Sequence, residues 1–286
     1  MPDGIIIIDK PQGWTSMDVC AKLRGVFREK RIGHAGTLDP MATGVLPVFV
    51  GRATRAVSFA EDGEKEYHAV LKLGLVTDTQ DVTGTVLEEH AVDVTRGDVE
   101  EVLPQFRGEI EQIPPMYSAI KIDGRKLYDL ARAGKTVERK ARKITIYELE
   151  LLDEIAAGEY RLRVVCSKGT YIRTLCHDIG AALGCGGCMA ALRRTMAAGF
   201  RIEEAVSMER AIGEGEAHLL ALEEYFRDYP AYILPDARRE KLCRNGNPFM
   251  DADLADGIYR VRAADGSFLA LSEAKGGEVH AVKNFF

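Results

Sequence analysis

The sequence predicts an α+β protein with a central mixed, largely antiparallel sheet flanked by helices, followed by a small all-β module. Three observations predict it. Runs with strand alternation interleave with runs of helical spacing, without the strict order of β-α-β units. The texture changes near Pro230, after which short strand-like pieces follow one another between glycine turns. The 286 residues are 46% hydrophobic and 29% charged, an ordinary globular mixture with room for one large domain or two smaller ones.

Gly4-Ile-Ile-Ile-Ile-Asp9 opens the chain, and four β-branched residues in a row read as a strand buried on both faces. Lys10-Pro-Gln-Gly13 stops it. Thr15-Ser-Met-Asp18 reads as a helix start, and Val19, Leu23, Val26 and Phe27 keep helical spacing. A long loop rich in glycine and polar residues follows, Gly33-His-Ala-Gly-Thr-Leu-Asp-Pro-Met-Ala-Thr-Gly44. Residues 45–50 read as a strand and 52–61 as a short helix. Residues 66–75 alternate, and 85–89 are expected to pair with them across a turn at Gly84. Residues 95–106 are expected to form an amphipathic helix with Val99, Val102, Leu103 and Phe106 on one side.

Residues 116–122 alternate into an Asp123-Gly124 hairpin turn, and 127–133 read as a helix stopping before Gly134. Residues 144–152 and 160–166 are expected strands. Residues 170–183 are an expected helix with Gly184 as its cap. Residues 192–200 show a mixed pattern, and 202–212 and 219–226 read as helical. Beyond Pro230, strands are expected at 259–263, 268–272 and 279–282, with turns at Asn245-Gly246, Asp256-Gly257, Asp265-Gly266 and Gly276-Gly277.

Composition excludes a disordered tail, a collagen-like fibre and a coiled-coil rod. With 38 basic and 44 acidic residues the net charge is −6, which argues against a DNA-coating protein and leaves room for an enzyme with a local basic face. No secretory signal or membrane span is visible, so a cytoplasmic protein is expected. The six cysteines read as free thiols. Cys185-Gly-Gly-Cys188 has the spacing of half a zinc site, but no second pair follows, and two free thiols in a turn are the better reading. Lys10-Pro-Gln-Gly13 lacks the pattern of a phosphate-binding P-loop.

Asp39, in Gly36-Thr-Leu-Asp-Pro40, is a carboxylate that a glycine-rich loop can present as nucleophile or base. On the pentapeptide alone, a turn aspartate before proline is the better reading. His34 suits phosphate binding or a switch, and a histidine hydrogen-bonded in a turn is at least as good a reading. Ser167-Lys-Gly-Thr-Tyr-Ile-Arg173 joins a strand to a helix start, a setting that suits an anion, and Arg173 is a candidate partner for Asp39. Residues 121–143 carry nine basic residues against three acidic ones, with Tyr117 and Tyr128 beside or among them. A solvated face mixes signs; this segment points to a nucleic-acid backbone.

Together these segments resemble the TruB family of the pseudouridine synthase superfamily. The motifs are Asp9-Lys-Pro-Gln-Gly13, the 33–44 loop, Lys65-Glu-Tyr67, Leu73-Gly74 with Thr77-Asp-Thr-Gln-Asp81, Gln112-Ile-Pro-Pro-Met-Tyr-Ser-Ala119 and Cys166-Ser-Lys-Gly-Thr-Tyr-Ile-Arg-Thr174. Each is weak alone; six in order are specific. The resemblance implies a pseudouridine synthase fold and isomerisation of uridine 55 in the T loop of tRNA. It implies Asp39 as the catalytic aspartate, Tyr67 against the target base, Arg173 paired with the aspartate and Asp81 in the same charge network. It implies His34 stacking in the reshaped T loop, Tyr171 and Leu192 lining the uracil pocket, and Lys10 with Pro11 packed beside it. Residues 121–143 overlap the family's tRNA-clasping insertion within a catalytic domain at 1–228, and 229–286 resemble a PUA-like RNA-binding barrel. The expected partner is the T arm of tRNA, with no cofactor, no metal, no guide RNA and a monomeric enzyme. An RNA-binding tRNA-folding factor and a guide-RNA-dependent synthase of the archaeal and eukaryotic type are the alternatives.

Overall fold

The computed structural model describes residues 2–122 and 124–286. The chain runs β1 (Gly4–Lys10), α1 (Ser16–Phe27), β2 (Ile32–His34), β3 (Thr43–Val50), α2 (Val57–Asp62), β4 (Lys65–Leu73), β5 (Leu75–Thr77), β6 (Val86–Glu89), α3 (Arg96–Val102) and β7 (Gly108–Gln112). It continues with β8 (Lys121–Ile122), β9 (Arg125–Lys126), α4 (Leu127–Arg132), β10 (Arg142–Ala156), β11 (Glu159–Cys166), α5 (Ile172–Ala182), β12 (Gly187–Ala197), β13 (Phe200–Arg201), β14 (Val206–Ser207), α6 (Met208–Glu214) and α7 (Leu222–Tyr225). It ends with β15 (Ala231–Ile233), α8 (Ala237–Arg244), β16 (Phe249–Met250), β17 (Gly257–Arg262), β18 (Phe268–Lys275) and β19 (Glu278–Asn284).

The main sheet has the order β14-β1-β3-β12-β4-β11-β10-β7, with β2 beside β3 and β13 beside β12. Its β1–β14 and β3–β12 pairs are parallel and the rest antiparallel, so the sheet is mixed and largely antiparallel, as expected. β1 is buried on both faces because each face has its own partner. Ile6 and Ile8 pack with Val19, Leu23 and Phe27 of α1, while Ile5 and Ile7 pack with Phe49, Phe226 and Phe285. The largest apolar cluster lies where α5 crosses β4, β11 and β12, with Ile172, Leu175 and Ile179 against Leu71, Val164 and Met189. A second sheet, β15-β17-β18-β19-β16, forms the C-terminal β module around Val261, Leu269 and Val279. No helix among the described residues is long and apolar enough to cross a membrane.

The capping box expected at Thr15 and Asp18 is present, with Thr15 Oγ1 accepting from Asp18 N at 3.0 Å. The hairpin expected at 123–124 pairs Ile122 with Arg125, although Asp123 itself lies outside the described residues. Several elements differ from expectation. The helix expected over 95–106 tightens to 3₁₀ geometry after Val102, because Pro104 supplies no N–H to continue the α ladder. Residues 85–89 pair with β5, not with β4, whose two sides are taken by β11 and β12. The strand expected from Met116 is ordered as a strand only at its end, since Ser118 N turns back to Met116 O at 3.0 Å. Residues 202–212 divide into a 3₁₀ turn, β14 and α6, because Val206 and Ser207 join the edge of β1 and Ser207 then caps α6. Only 222–225 of the helix expected at 219–226 forms, since Leu220 is drawn into a bridge with Ile5. β12 fills the stretch read as mixed, and Cys188 lies in this strand and not in a turn. In the C-terminal module, Asn245-Gly246 ends α8 and makes no hairpin, and Asp256-Gly257 opens β17.

Candidate active site

The loop between β2 and β3 is held from both ends, which fixes the residue at its middle. Leu38 is buried, and its N–H donates to Ser16 Oγ at 2.9 Å while Ser16 Oγ donates back to Leu38 O at 3.2 Å. Pro40 O accepts from Gly13 N at 2.8 Å, and Ala42 N donates to Asp39 O at 3.0 Å. The carboxylate of Asp39 is thereby presented by a loop whose neighbours on either side are anchored. Its side chain is 40% exposed, so a substrate can reach it.

Arg173, in the first turn of α5, meets that carboxylate. Its Nε lies 3.0 Å from Asp39 Oδ2, and its Nη1 lies 3.7 Å from Asp81 Oδ2. Nη1 also donates to Thr79 O at 3.1 Å and Nη2 to Tyr117 O at 2.8 Å. A guanidinium bonded in several directions and only 8% exposed has one orientation. Asp81 is held in its turn by Thr79 Oγ1 at 2.9 Å, Thr83 N at 2.9 Å and Thr83 Oγ1 at 2.5 Å. The pairing suggested for Asp39 and Arg173, and the shared network with Asp81, are thus both present.

Tyr67 on β4 and Leu192 on β12 belong to the same apolar cluster as Leu38 and Ile172. Burial pushes the Tyr67 phenol up, against the pull of the Arg194 cation, and the negative charge of Asp39 adds to the rise. Lys10 is fully buried at the end of β1 and donates to the carbonyls of Pro11 at 2.9 Å, Trp14 at 2.6 Å and Pro40 at 3.5 Å. Burial brings its amine down to about 8, partly opposed by Asp39. Lys10 therefore ties β1 to the Asp39 loop. Tyr171 caps α5, and the buried Gln112 clamps its backbone by accepting from Tyr171 N at 2.8 Å and donating to Tyr171 O at 3.0 Å. His34 stands apart from this network, on β2 opposite Val48, with its imidazole lowered by burial and then by Arg194.

Sequence reading does not single out Gln112 and Arg194 as site residues. Gln112 opens one of the family-like motifs but carries no charge. Arg194 is one of two arginines in a stretch without clear periodicity. The basic segment spans the connection between β7 and β10, which pair at Gln112 and Arg142 at the sheet edge beside Tyr171. Arg125, Arg132, Lys135, Lys140, Arg142 and Lys143 are exposed along it. Tyr128 is flanked by Lys126 and Arg132 at 5.1 and 5.4 Å from its ring centroid, while Tyr117 donates to Asp78 Oδ2 at 3.3 Å.

Residues 24–172 match the family model described as the N-terminal domain of TruB family pseudouridylate synthases, and 173–215 match that of the tRNA pseudouridylate synthase B C-terminal domain. The chain belongs to the TruB family. Curated relatives share its full extent. The tRNA pseudouridine synthase B of Francisella philomiragia is 44% identical, covering 99% of this chain and 95% of the relative. That of Clostridium kluyveri is 40% identical, covering 99% of both chains. That of Syntrophomonas wolfei is 46% identical, covering 95% and 93%. Among solved structures, the crystal structure of a Cbf5-Nop10-Gar1 complex matches with a TM-score of 0.75 and 27% identity, covering 100% of this chain and 85% of the other. An H/ACA RNP bound to a substrate RNA containing 2′-deoxyuridine matches at 0.71 and 26%. The TruB family to which the chain belongs is one of pseudouridine synthases, which are isomerases.

Proposed function

We propose that this chain is a stand-alone tRNA pseudouridine synthase that isomerises uridine 55 of the T loop, with Asp39 as the essential carboxylate. The observation that carries the residue assignment is the half-exposed Asp39 held at 3.0 Å by the buried Arg173, over the apolar floor that contains Tyr67 and Leu192. The full-length relatives named tRNA pseudouridine synthase B support the substrate.

The reaction breaks the N1–C1′ bond, turns the uracil and joins C5 to C1′. A proton leaves C5 and one is gained at N1, with no redox change. The uridine must leave its stack, at a cost of a few kcal/mol. Stacking on an aromatic ring such as Tyr67 offsets about 1–3 kcal/mol of that. The aspartate, paired with Arg173, on the route preferred here takes the 2′ proton of the ribose as the N1–C1′ bond breaks and returns it to C2′ as C5 joins C1′. Tyr67 faces the base and relays the C5 proton, its hydroxyl passing its own proton on towards N1 as it accepts one. Arg173 and Asp81 orient the carboxylate, Tyr171 and Leu192 line the uracil pocket with Lys10 behind it, and His34 contacts the T loop outside it. The exposed cations of 121–143 and the PUA-like module at 229–286 hold the RNA backbone. A tRNA substrate places the enzyme in the cytoplasm, where it acts as a monomer.

The test is tritium release from a T-arm stem-loop labelled at uridine C5, with no guide RNA, partner protein or added metal. Wild type is expected to release tritium. Asp39→Asn is expected to release none while its RNA affinity stays within about threefold. Turnover by Asp39→Asn would remove the aspartate from its role. Release only when a guide RNA and partner proteins are added would move the chain to the guide-dependent type.

A further inference from the structure

We propose that Arg194 is a positioning residue for this reaction: its buried guanidinium clips the Asp39 loop to β3 and fixes that loop against Tyr67. The inference rests on the function proposed above and adds a residue to it.

Arg194 is 0% exposed and is among the largest fully buried side chains of the protein. It sits on β12 directly across the ladder from Tyr67 on β4, so the two side chains share a face of the sheet. On its other side it is in register with Gly44, where the Asp39 loop enters β3. The strands approach so closely there that a Cβ on Gly44 would lie 2.1 Å from Arg194 O. From this junction Nε donates to Val45 O at 2.7 Å and Nη2 to Gly36 O at 2.9 Å. Val45 lies just beyond the loop's end and Gly36 near its start. One planar group thus spans the base of the loop whose middle carries Asp39.

Both bonds go to main-chain carbonyls, not to a carboxylate. A buried cation costs several kcal/mol of desolvation, and an apolar side chain of similar volume would fill the space at lower cost. The charge has a use where negative charge stands or develops. Asp39 is one such place. The uracil, which takes the electron pair of the broken N1–C1′ bond, is the other. Three charged or titratable groups act on the Tyr67 phenol: Arg194 from β12, Cys166 from β11 and Asp39 from the loop. Arg194 is the cation among them. A lysine at this position would keep the charge but not the fork that reaches two carbonyls in fixed geometry.

The experiment uses the full chain with Arg194→Met and Arg194→Lys, in single-turnover tritium release across pH together with RNA binding. Arg194→Met is expected to slow turnover on the order of 100-fold, the scale of a misplacement of about 1 Å. Its RNA affinity is expected to stay within about threefold, and the ascending limb of its pH–rate profile to move to higher pH. Arg194→Lys is expected to be slowed less and to leave the limb near its wild-type position. Turnover of Arg194→Met within threefold of wild type, or a loss carried entirely by RNA affinity, would overturn the proposal. If Arg194→Met does not fold, Arg194→Lys decides: a slowed rate at unchanged affinity supports the clip, and a wild-type rate overturns it. Absence of turnover in wild type itself would fall on the function reading instead.

Discussion

Lys10 shows how a single burial leaves a mark on stability. The folded chain holds its amine at about 8 against an ordinary value of 10.5. Between those two pH values the unfolded chain binds a proton that the folded chain does not. Unfolding therefore takes up a proton there, and this residue's contribution to stability rises with pH across that window. Urea midpoints measured from pH 7.5 to 10 are expected to climb more steeply for wild type than for Lys10→Met. Equal slopes would mean that the amine is not buried in the folded chain. Gln112 makes a second residue-scale case. It bonds both the N–H and the C=O of Tyr171, and because that C=O also accepts from Leu175 N, Gln112→Leu strands the Tyr171 N–H. A loss of about 1–3 kcal/mol is expected in urea unfolding. Asp39 and Arg173 stand out in the sequence through the family resemblance of the motifs that hold them, since on its own pentapeptide Asp39 reads as a turn aspartate before proline. Gln112 and Arg194 do not, because their roles are defined by what they face, Tyr171 in one case and Gly36 with Val45 in the other.

At the scale of elements, the legible ones carry their own local instructions. α1 has its capping box, α5 ends at Gly184 with φ +77°, and β1 is a run of isoleucines. β12 has no such mark. Its Arg193 and Arg194 interrupt the apolar alternation, and only tertiary partners account for them: Asp9 at 2.8 Å for Arg193, and the loop carbonyls for Arg194. α8 is hidden for the opposite reason. It is mostly polar and turns only Leu242 and Cys243 to the module core, so its clearest signal is a cap, Asp236 Oδ1 accepting from Arg239 N at 2.8 Å. The basic connection between β7 and β10 supports a prediction of its own kind. Replacing Arg132, Lys135 and Lys140 together by glutamine should weaken tRNA binding. The slope of log affinity against log salt should fall by just under one for each phosphate that is no longer neutralised. Turnover at saturating RNA should hardly change, since none of the three touches Asp39, Arg173 or Tyr67. An unchanged salt slope would remove this segment from the RNA interface.

For the molecule as a whole, the C-terminal sheet is joined to the main one through aromatic rings. Phe226 packs against Phe268 and Phe285 at 6.0 and 5.4 Å between centroids, and Phe285 lies in one cluster with Ile5 and Phe49 of the main sheet. Arg55 secures the joint by donating to Phe286 O at 2.8 Å. A single calorimetric transition is expected for the whole chain. Phe285→Ala should lower its stability by about 3–5 kcal/mol, and two separate transitions in wild type would contradict such a joint. The order of strands in the main sheet also has a consequence in time. β12 is inserted between β3 and β4, and the bond from Arg194 to Val45 spans 149 residues. On a ribosome adding about 5–20 residues per second, β3 therefore waits roughly 7–30 s for the strand that completes it. Throughout that interval the nascent chain exposes unpaired β-branched strand edges and has no assembled site. The enzyme is thus born inactive and sticky, and its yield in the cell should depend on whatever shields those edges until residue 197 has emerged.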